Sequence, residues 1–224
     1  MLTPSNIPEI AAYTDETNTA PIGGTKKRLM DIAVATAAIT LLLPLLALCA
    51  LAVMLTSEGP VIFRHRRIGF QGRHFGCLKF RTMLPDADQR LQEYLSANPD
   101  ANREWAATRK LRHDPRITAF GRIMRKTSLD ELPQLLNVIM GDMSLVGPRP
   151  IVQAELAKYA HNISEYLACR PGITGFWQVS GRSNTSYRRR VACDSYYARN
   201  WSFILDCKII LLTLPALLGD EGAC

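Results

Sequence analysis

The run Arg122-Ile-Met-Arg125-Lys126-Thr127-Ser128-Leu129-Asp130-Glu131-Leu132-Pro133 places two adjacent carboxylates after three cations. A carboxylate among fixed positive charges can attack phosphorus, or share a hard divalent cation with a phosphate. Ser128 and Glu131 have the spacing of a capping box. Pro133 fits better if the helix starts near Asp130, because proline is tolerated in a first turn. Either registration sets Asp130 near a helix N-terminus, where unpaired amides favour a phosphate or a carboxylate. An ordinary charged cap with a surface salt bridge explains the same residues.

Further cations recur along the chain. Arg149 lies in Gly141-Asp-Met-Ser-Leu-Val-Gly-Pro-Arg-Pro150, a glycine- and proline-punctuated loop, and its planar fork suits phosphate oxygens. Lys79 and Arg81 follow a predicted strand in KFRTM, where a solvated strand edge is the plainer alternative. In Arg170-Pro-Gly-Ile-Thr-Gly-Phe-Trp-Gln-Val-Ser-Gly-Arg182, Gly172, Gly175 and Gly181 predict tight turns. Trp177 fits either the core or a lipid interface. Asp194, near Tyr196 and Tyr197, is a further acid or a surface cap. The chain has no Walker lysine loop, no GxGxxG and no HExxH, and His65, His74, His113 and His161 have no telling context. Several acids and arginines without metal-binding histidines favour phosphoryl chemistry with a hard cation.

The elements that must carry these residues begin with an apolar run. Residues 32–55, IAVATAAITLLLPLLALCALAVML, contain no charge. A straight helix through them, at about 1.5 Å per residue, reaches roughly 36 Å, enough to cross a bilayer core. The run starts too late and is too long for a cleaved signal peptide. Lys26, Lys27 and Arg28 precede it, and Arg64, Arg66, Arg67 and Arg73 follow. A true span has one basic side and one depleted side. Pro44 at mid-run removes a helical donor and predicts a kink, so a re-entrant helix satisfies both flanks. A single tilted span is the alternative. Asp31 at the start of the run is tolerable at the interface.

Residues 1–25 are polar and read as a flexible segment. From Pro60 onward, VIFRHRRIGF and HFGCLKFRTM predict a hairpin, and residues 86–109 predict two helices broken at Asn98-Pro99. Helices are also predicted over 128–140, 152–168 and 187–200. The tail 203–218 is apolar but carries Asp206 and Lys208, so an interfacial and a core helix fit equally. The net charge of +7 suits an anionic bilayer surface or a polyanionic substrate without choosing between them. The six cysteines have no metal spacing and read as reduced or buried thiols.

Residues 122–150, with KFRTM and RPGITGFWQVSGR, resemble the bacterial sugar transferase family. These are the monotopic phosphoglycosyl transferases that begin exopolysaccharide, O-antigen and glycoprotein glycan assembly. The resemblance covers about residues 26–220, and SLDELPQLLNV with GDMSLVGPRP is its most specific part. It implies an α+β fold: a flexible segment over 1–25, a proline-kinked re-entrant helix over 26–58, and a mostly helical cytosolic catalytic domain with interface-associated helices over 59–220. Pro44 matches the family's central proline. By resemblance Asp130 is the nucleophile, attacking the phosphate bonded to the sugar so that UMP leaves. Polyprenyl phosphate then attacks the aspartyl phosphosugar. Glu131 helps bind Mg²⁺, Lys79, Arg81, Arg125 and Arg149 hold phosphates, and Asp194 organises the metal or a polar network.

The short form most resembles the exopolysaccharide-initiating branch. That implies a UDP-hexose donor (galactose or glucose), undecaprenyl phosphate as acceptor, and the cytosolic face of the inner membrane. Downstream glycosyltransferases are implied partners, a homodimer is compatible, and no nucleic acid is expected. The alternatives are an N-acetylated or diamino sugar donor for O-antigen or glycoprotein glycans, and a non-catalytic membrane scaffold.

Overall fold

The structure is a computed structural model that describes residues 20–108, 110–181 and 186–218. Most of the segment expected to be flexible lies outside those residues. Residues 20–23 form a turn in which Ile22 N donates to Ala168 O.

Helix α1 runs without interruption from Gly24 to Thr56, with Pro44 inside it. Its most apolar 18-residue stretch has a mean hydropathy of 2.7 and is only 11% buried, so by length and composition it could enter a membrane. Strands β1 (Ile62–Ile68) and β2 (His74–Phe80) form the expected hairpin. The break at Asn98-Pro99 separates α2 (Ala87–Ala97) from α3 (Pro99–Thr108). Then come α4 (Ala119–Lys126), α5 (Gln134–Met140) and β3 (Ser144–Val146). The remainder is α6 (Leu156–Tyr159), α7 (Ile163–Leu167), β4 (Gly172–Thr174), α8 (Phe176–Val179), α9 (Tyr187–Arg199) and α10 (Phe203–Leu218). The fold is mixed helix and strand, with β3 and β4 paired in parallel.

Two helical expectations are corrected. Residues 128–140 are not one helix. Ser128 has left-handed backbone (φ 57°) and caps nothing, so the capping box does not form. Leu129–Glu131 make a single 3₁₀ turn, and α-helix begins only after Pro133. Residues 152–168 are likewise broken, because Ala160 takes φ 45° between α6 and α7.

The chain divides into two compact units. Among described residues the first holds 20–42, 64–78 and 133–218, and the second 43–63 and 79–132. In the first, the opening turns of α1 bury Lys27, Asp31 and Ala35 at helical spacing. Lys27 Nζ pairs with Asp206 Oδ2 at 2.6 Å, and Asp31 Oδ1 accepts from Leu145 N at 3.0 Å. Asp31 is therefore inside protein rather than at a lipid interface. Asp206 also accepts from Tyr197 Oη at 2.7 Å. Helix α10 answers its open question with both faces: Asp206 and Ile209 are buried, while Phe203, Ile204, Leu211 and Leu212 are exposed. In the second unit, Cys49 and Val53 of α1 pack with Phe80 and Met124. The cysteines described are free thiols.

Candidate active site

In the second unit, the chemistry gathers where β2 ends and α4 hands over to the Leu129–Glu131 turn. Thr118 caps α4, its Oγ1 accepting from Gly121 N at 2.9 Å. Met124 on that helix is fully buried, and Arg125 follows it in the last turn. The left-handed Ser128 then reverses the chain so that Asp130 turns inward, 8% exposed.

Burial pushes the Asp130 carboxyl above the usual carboxylate range. Lys79 pulls it back, Glu131 adds to the rise, and Arg125 lowers it. Lys79 Nζ meets Glu131 Oε1 at 2.5 Å. The Arg125 guanidinium is itself held below its ordinary value by burial, while Asp130 and Asp114 favour its charge. Arg125 Nε donates to Thr82 Oγ1 at 2.9 Å. Four of the residues singled out in the sequence, Lys79, Arg125, Asp130 and Glu131, thus form one electrostatic cluster. Arg81 Nη1 donates to Glu58 O, and its guanidinium lies over Gly59, whose φ of 100° suits glycine.

In the first unit, Arg149 follows β3 in the Gly147-Pro148-Arg149-Pro150 loop. Gly147 N donates to Thr174 O at 2.9 Å, and Gly172 N to Pro148 O at 2.8 Å, so β4 locks that loop. The turn reading of Gly172 and Gly175 is corrected. A Cβ on either would come within 2.3 Å of backbone, so they serve close strand approach; Gly181, at φ 147°, does suit a turn. Trp177 is interior, with the Arg149 and Arg190 guanidiniums 5.8 and 4.4 Å from its ring centroid. Asp194 is buried and accepts from Tyr159 Oη at 2.7 Å. Burial pushes its carboxyl up to about 7 against that hydrogen bond and against Arg190 and Arg149.

Sequence reasoning did not find Thr82, Tyr159, Arg190 or Asn137. Asn137 is fully buried, accepting from Leu78 N at 2.9 Å and donating to Gly76 O at 2.9 Å. A lone amide in the apolar run LLNVIM was its one signal. Thr82 lay inside KFRTM, overshadowed by its cations.

A divalent cation can be tested against these donors. Among the described residues no three His, Cys, Asp or Glu side chains cluster as an all-protein cage. Mg²⁺ is commonly held by one or two carboxylates with substrate phosphates and water, and the partly exposed Glu131 carboxylate fits that mode, whereas Asp194, also expected at the metal, is buried against Tyr159.

The bacterial sugar transferase family profile matches residues 23–220. The chain is 50% identical over 203 residues to the exopolysaccharide production protein ExoY of Rhizobium meliloti (strain 1021), covering 91% of this chain and 90% of that one. It is 44% identical over 206 residues to the UDP-glucose:undecaprenyl-phosphate glucose-1-phosphate transferase of Caulobacter vibrioides, covering 88% and 72%. It is 51% identical over 165 residues to the undecaprenyl-phosphate galactose phosphotransferase of Salmonella typhimurium, covering 74% and 35%. The protein is thus an enzyme of the transferase class. It belongs to the bacterial sugar transferase family.

Proposed function

We propose that this enzyme transfers a hexose 1-phosphate, galactose or glucose, from a UDP-sugar to undecaprenyl phosphate, as the first step of exopolysaccharide repeat-unit assembly. The observation that carries the chemistry is Asp130: a buried carboxyl whose ionised form is disfavoured by burial and by Glu131 and favoured by both Lys79 and Arg125. The names of the relatives from Caulobacter and Salmonella support the donor and acceptor.

An Asp130 oxygen attacks the phosphorus bonded to the sugar. The bond from that phosphorus to the bridging oxygen breaks, and UMP leaves with the electron pair. An oxygen of undecaprenyl phosphate then attacks the same phosphorus and frees Asp130. Little covalent work falls to the protein beyond the nucleophile, so fixed charge supplies most of the catalysis. Lys79 and Arg125 stabilise charge at the transferring phosphate. Arg149 offers a fork for phosphate oxygens. Glu131, with the substrate phosphates, would hold Mg²⁺, which when bound neutralises charge on the diphosphate. Asp194, held by the Tyr159 hydroxyl, supplies negative charge to Arg149 and Arg190. The test is a panel of UDP-galactose, UDP-glucose, UDP-N-acetylglucosamine and a UDP-diamino sugar, with undecaprenyl phosphate and Mg²⁺. UMP release and lipid product are expected with one of the two hexoses. Turnover only with an amino-sugar donor would redirect the assignment, and turnover with none would support the scaffold.

The same reading makes α1 re-entrant on the cytosolic face of the inner membrane. Pro44 deletes a backbone donor at mid-helix, and exposed Lys26 before the run and Arg64 and Arg66 after it keep both flanks basic. The bare apolar side of α10 suits the same leaflet. With native cysteines replaced, a cysteine at Ala20 and another at Arg64 should both resist a membrane-impermeant thiol reagent in intact cells. Both should react once the inner membrane is opened. Labelling of the Ala20 position in intact cells would establish a full span.

A further inference from the structure

Arg125 is anchored by one edge of its fork. Its Nε donates to Thr82 Oγ1, and among the described residues no hydrogen bond engages its two terminal Nη groups. Thr82 is 6% exposed and immobilised on several sides. Its carbonyl accepts from Thr118 N at 3.1 Å, and that oxygen lies 2.3 Å from where a Cβ on Gly121 would stand. A side chain at 121 would therefore force α4 off Thr82. Gly121 and Arg125 are four residues apart on one helix face, and helical side chains lean toward the N-terminus. The missing side chain at 121 lets the Thr82 backbone seat against α4, with its hydroxyl bonded to Arg125 one turn further along.

A guanidinium can grip an oxyanion along its Nε–Nη side or by its Nη–Nη end. Occupying Nε closes the first edge and leaves the second. Asp114 completes the frame. It is 7% exposed, bound by Arg116 Nε at 2.8 Å and Nη2 at 2.7 Å, and with Asp130 it favours the Arg125 charge.

We propose that Thr82 is a positioning residue that commits Arg125 to end-on binding of a phosphate group, through the Thr82 Oγ1–Arg125 Nε hydrogen bond and the close Gly121–Thr82 contact. The inference rests on the reading of Arg125 as a donor to substrate phosphate.

The experiment is a double-mutant cycle on the full-length enzyme in detergent, with the UDP-hexose that the donor panel selects and undecaprenyl phosphate. Thr82→Val keeps the shape and removes the acceptor, and Thr82→Ser keeps the acceptor. Arg125→Lys keeps the charge and removes Nε. Thr82→Val should lower kcat/KM by about ten- to a hundredfold, the range for losing a hydrogen bond to a charged group. Thr82→Ser should recover most of that loss. In the Arg125→Lys background, Thr82→Val should cost nothing further, because there is no Nε left to aim. Thermal midpoints are read in parallel, so that a folding loss from Thr82→Val is recognised and Thr82→Ser then decides. If Thr82→Val costs the same factor in both backgrounds, or Thr82→Ser behaves like Thr82→Val, the positioning role is overturned. If Arg125→Lys alone has wild-type kinetics, the underlying reading of Arg125 fails instead.

Discussion

Replacing Asp130 by asparagine lowers turnover by at least about 10³-fold, as expected when the nucleophile of a covalent mechanism is removed. The fold should survive. Asparagine matches the size of aspartate and carries no charge to bury. Because burial raises the Asp130 carboxyl, the folded state binds that proton more tightly than the unfolded chain does. The associated stability is present at low pH and is lost as pH rises through the folded-state value. The asparagine side chain does not titrate, so the variant should be at least as heat-stable as wild type at alkaline pH. Lost activity with a retained thermal midpoint separates chemistry from unfolding. The stronger measurement omits the lipid. Wild type incubated with donor labelled at the phosphorus bonded to the sugar should release UMP and retain stoichiometric label on a peptide containing Asp130. No label and no UMP without acceptor, from a preparation shown to be active with it, would mean direct displacement and would remove Asp130 from the nucleophile's role.

Much of this second-unit cluster was legible in the sequence because its parts lie in two short runs. Arg125, Asp130 and Glu131 fall within a few residues, and Lys79 lies near the end of a strand legible as a short apolar run beside glycine turns. The break at Asn98-Pro99 was legible for a local reason: proline restricts the residue before it and cannot continue a helix. Ser128 was misread because a capping box is a local pattern, whereas its left-handed backbone is imposed by packing on either side of the turn. Thr82 and Asn137 were missed because their meaning is their partners. Arg125 is 43 residues from Thr82, and Gly76 is 61 from Asn137. Spacing along the chain carries no trace of such pairs. The charges of Lys27 and Asp31 were read as flanking a membrane segment, and only the distant Asp206 and Leu145 show them to be interior.

The glycines of the two loop motifs illustrate the same limit, and they yield the largest expected structural effect. Strands β3 and β4 pair with Ser144 opposite Gly172 and Val146 opposite Thr174. A Cβ on Gly172 would stand 2.1 Å from Gly147 N, 2.3 Å from Thr174 O and 2.7 Å from Gly147 Cα. All three are backbone atoms, so no rotamer change relieves the contact, and the strands must part or the chain must refold locally. Gly172→Ala should therefore cost at least about 3 kcal/mol, toward the upper end of single-substitution effects. Against a typical stability of about 5–15 kcal/mol that is a large share, and the loop holding Arg149 is tied to the same strands. The expected result is a thermal midpoint lowered by several degrees or more, faster proteolysis of the purified protein, and reduced transfer activity. Gly76→Ala is the control. Its Cβ would meet only the Arg64 side chain, at 3.6–3.8 Å, which is ordinary contact. Alanine there also narrows the unfolded ensemble, so the control should be neutral or slightly stabilising. A Gly172→Ala enzyme as stable and active as the Gly76→Ala one would mean that β3 and β4 do not approach this closely.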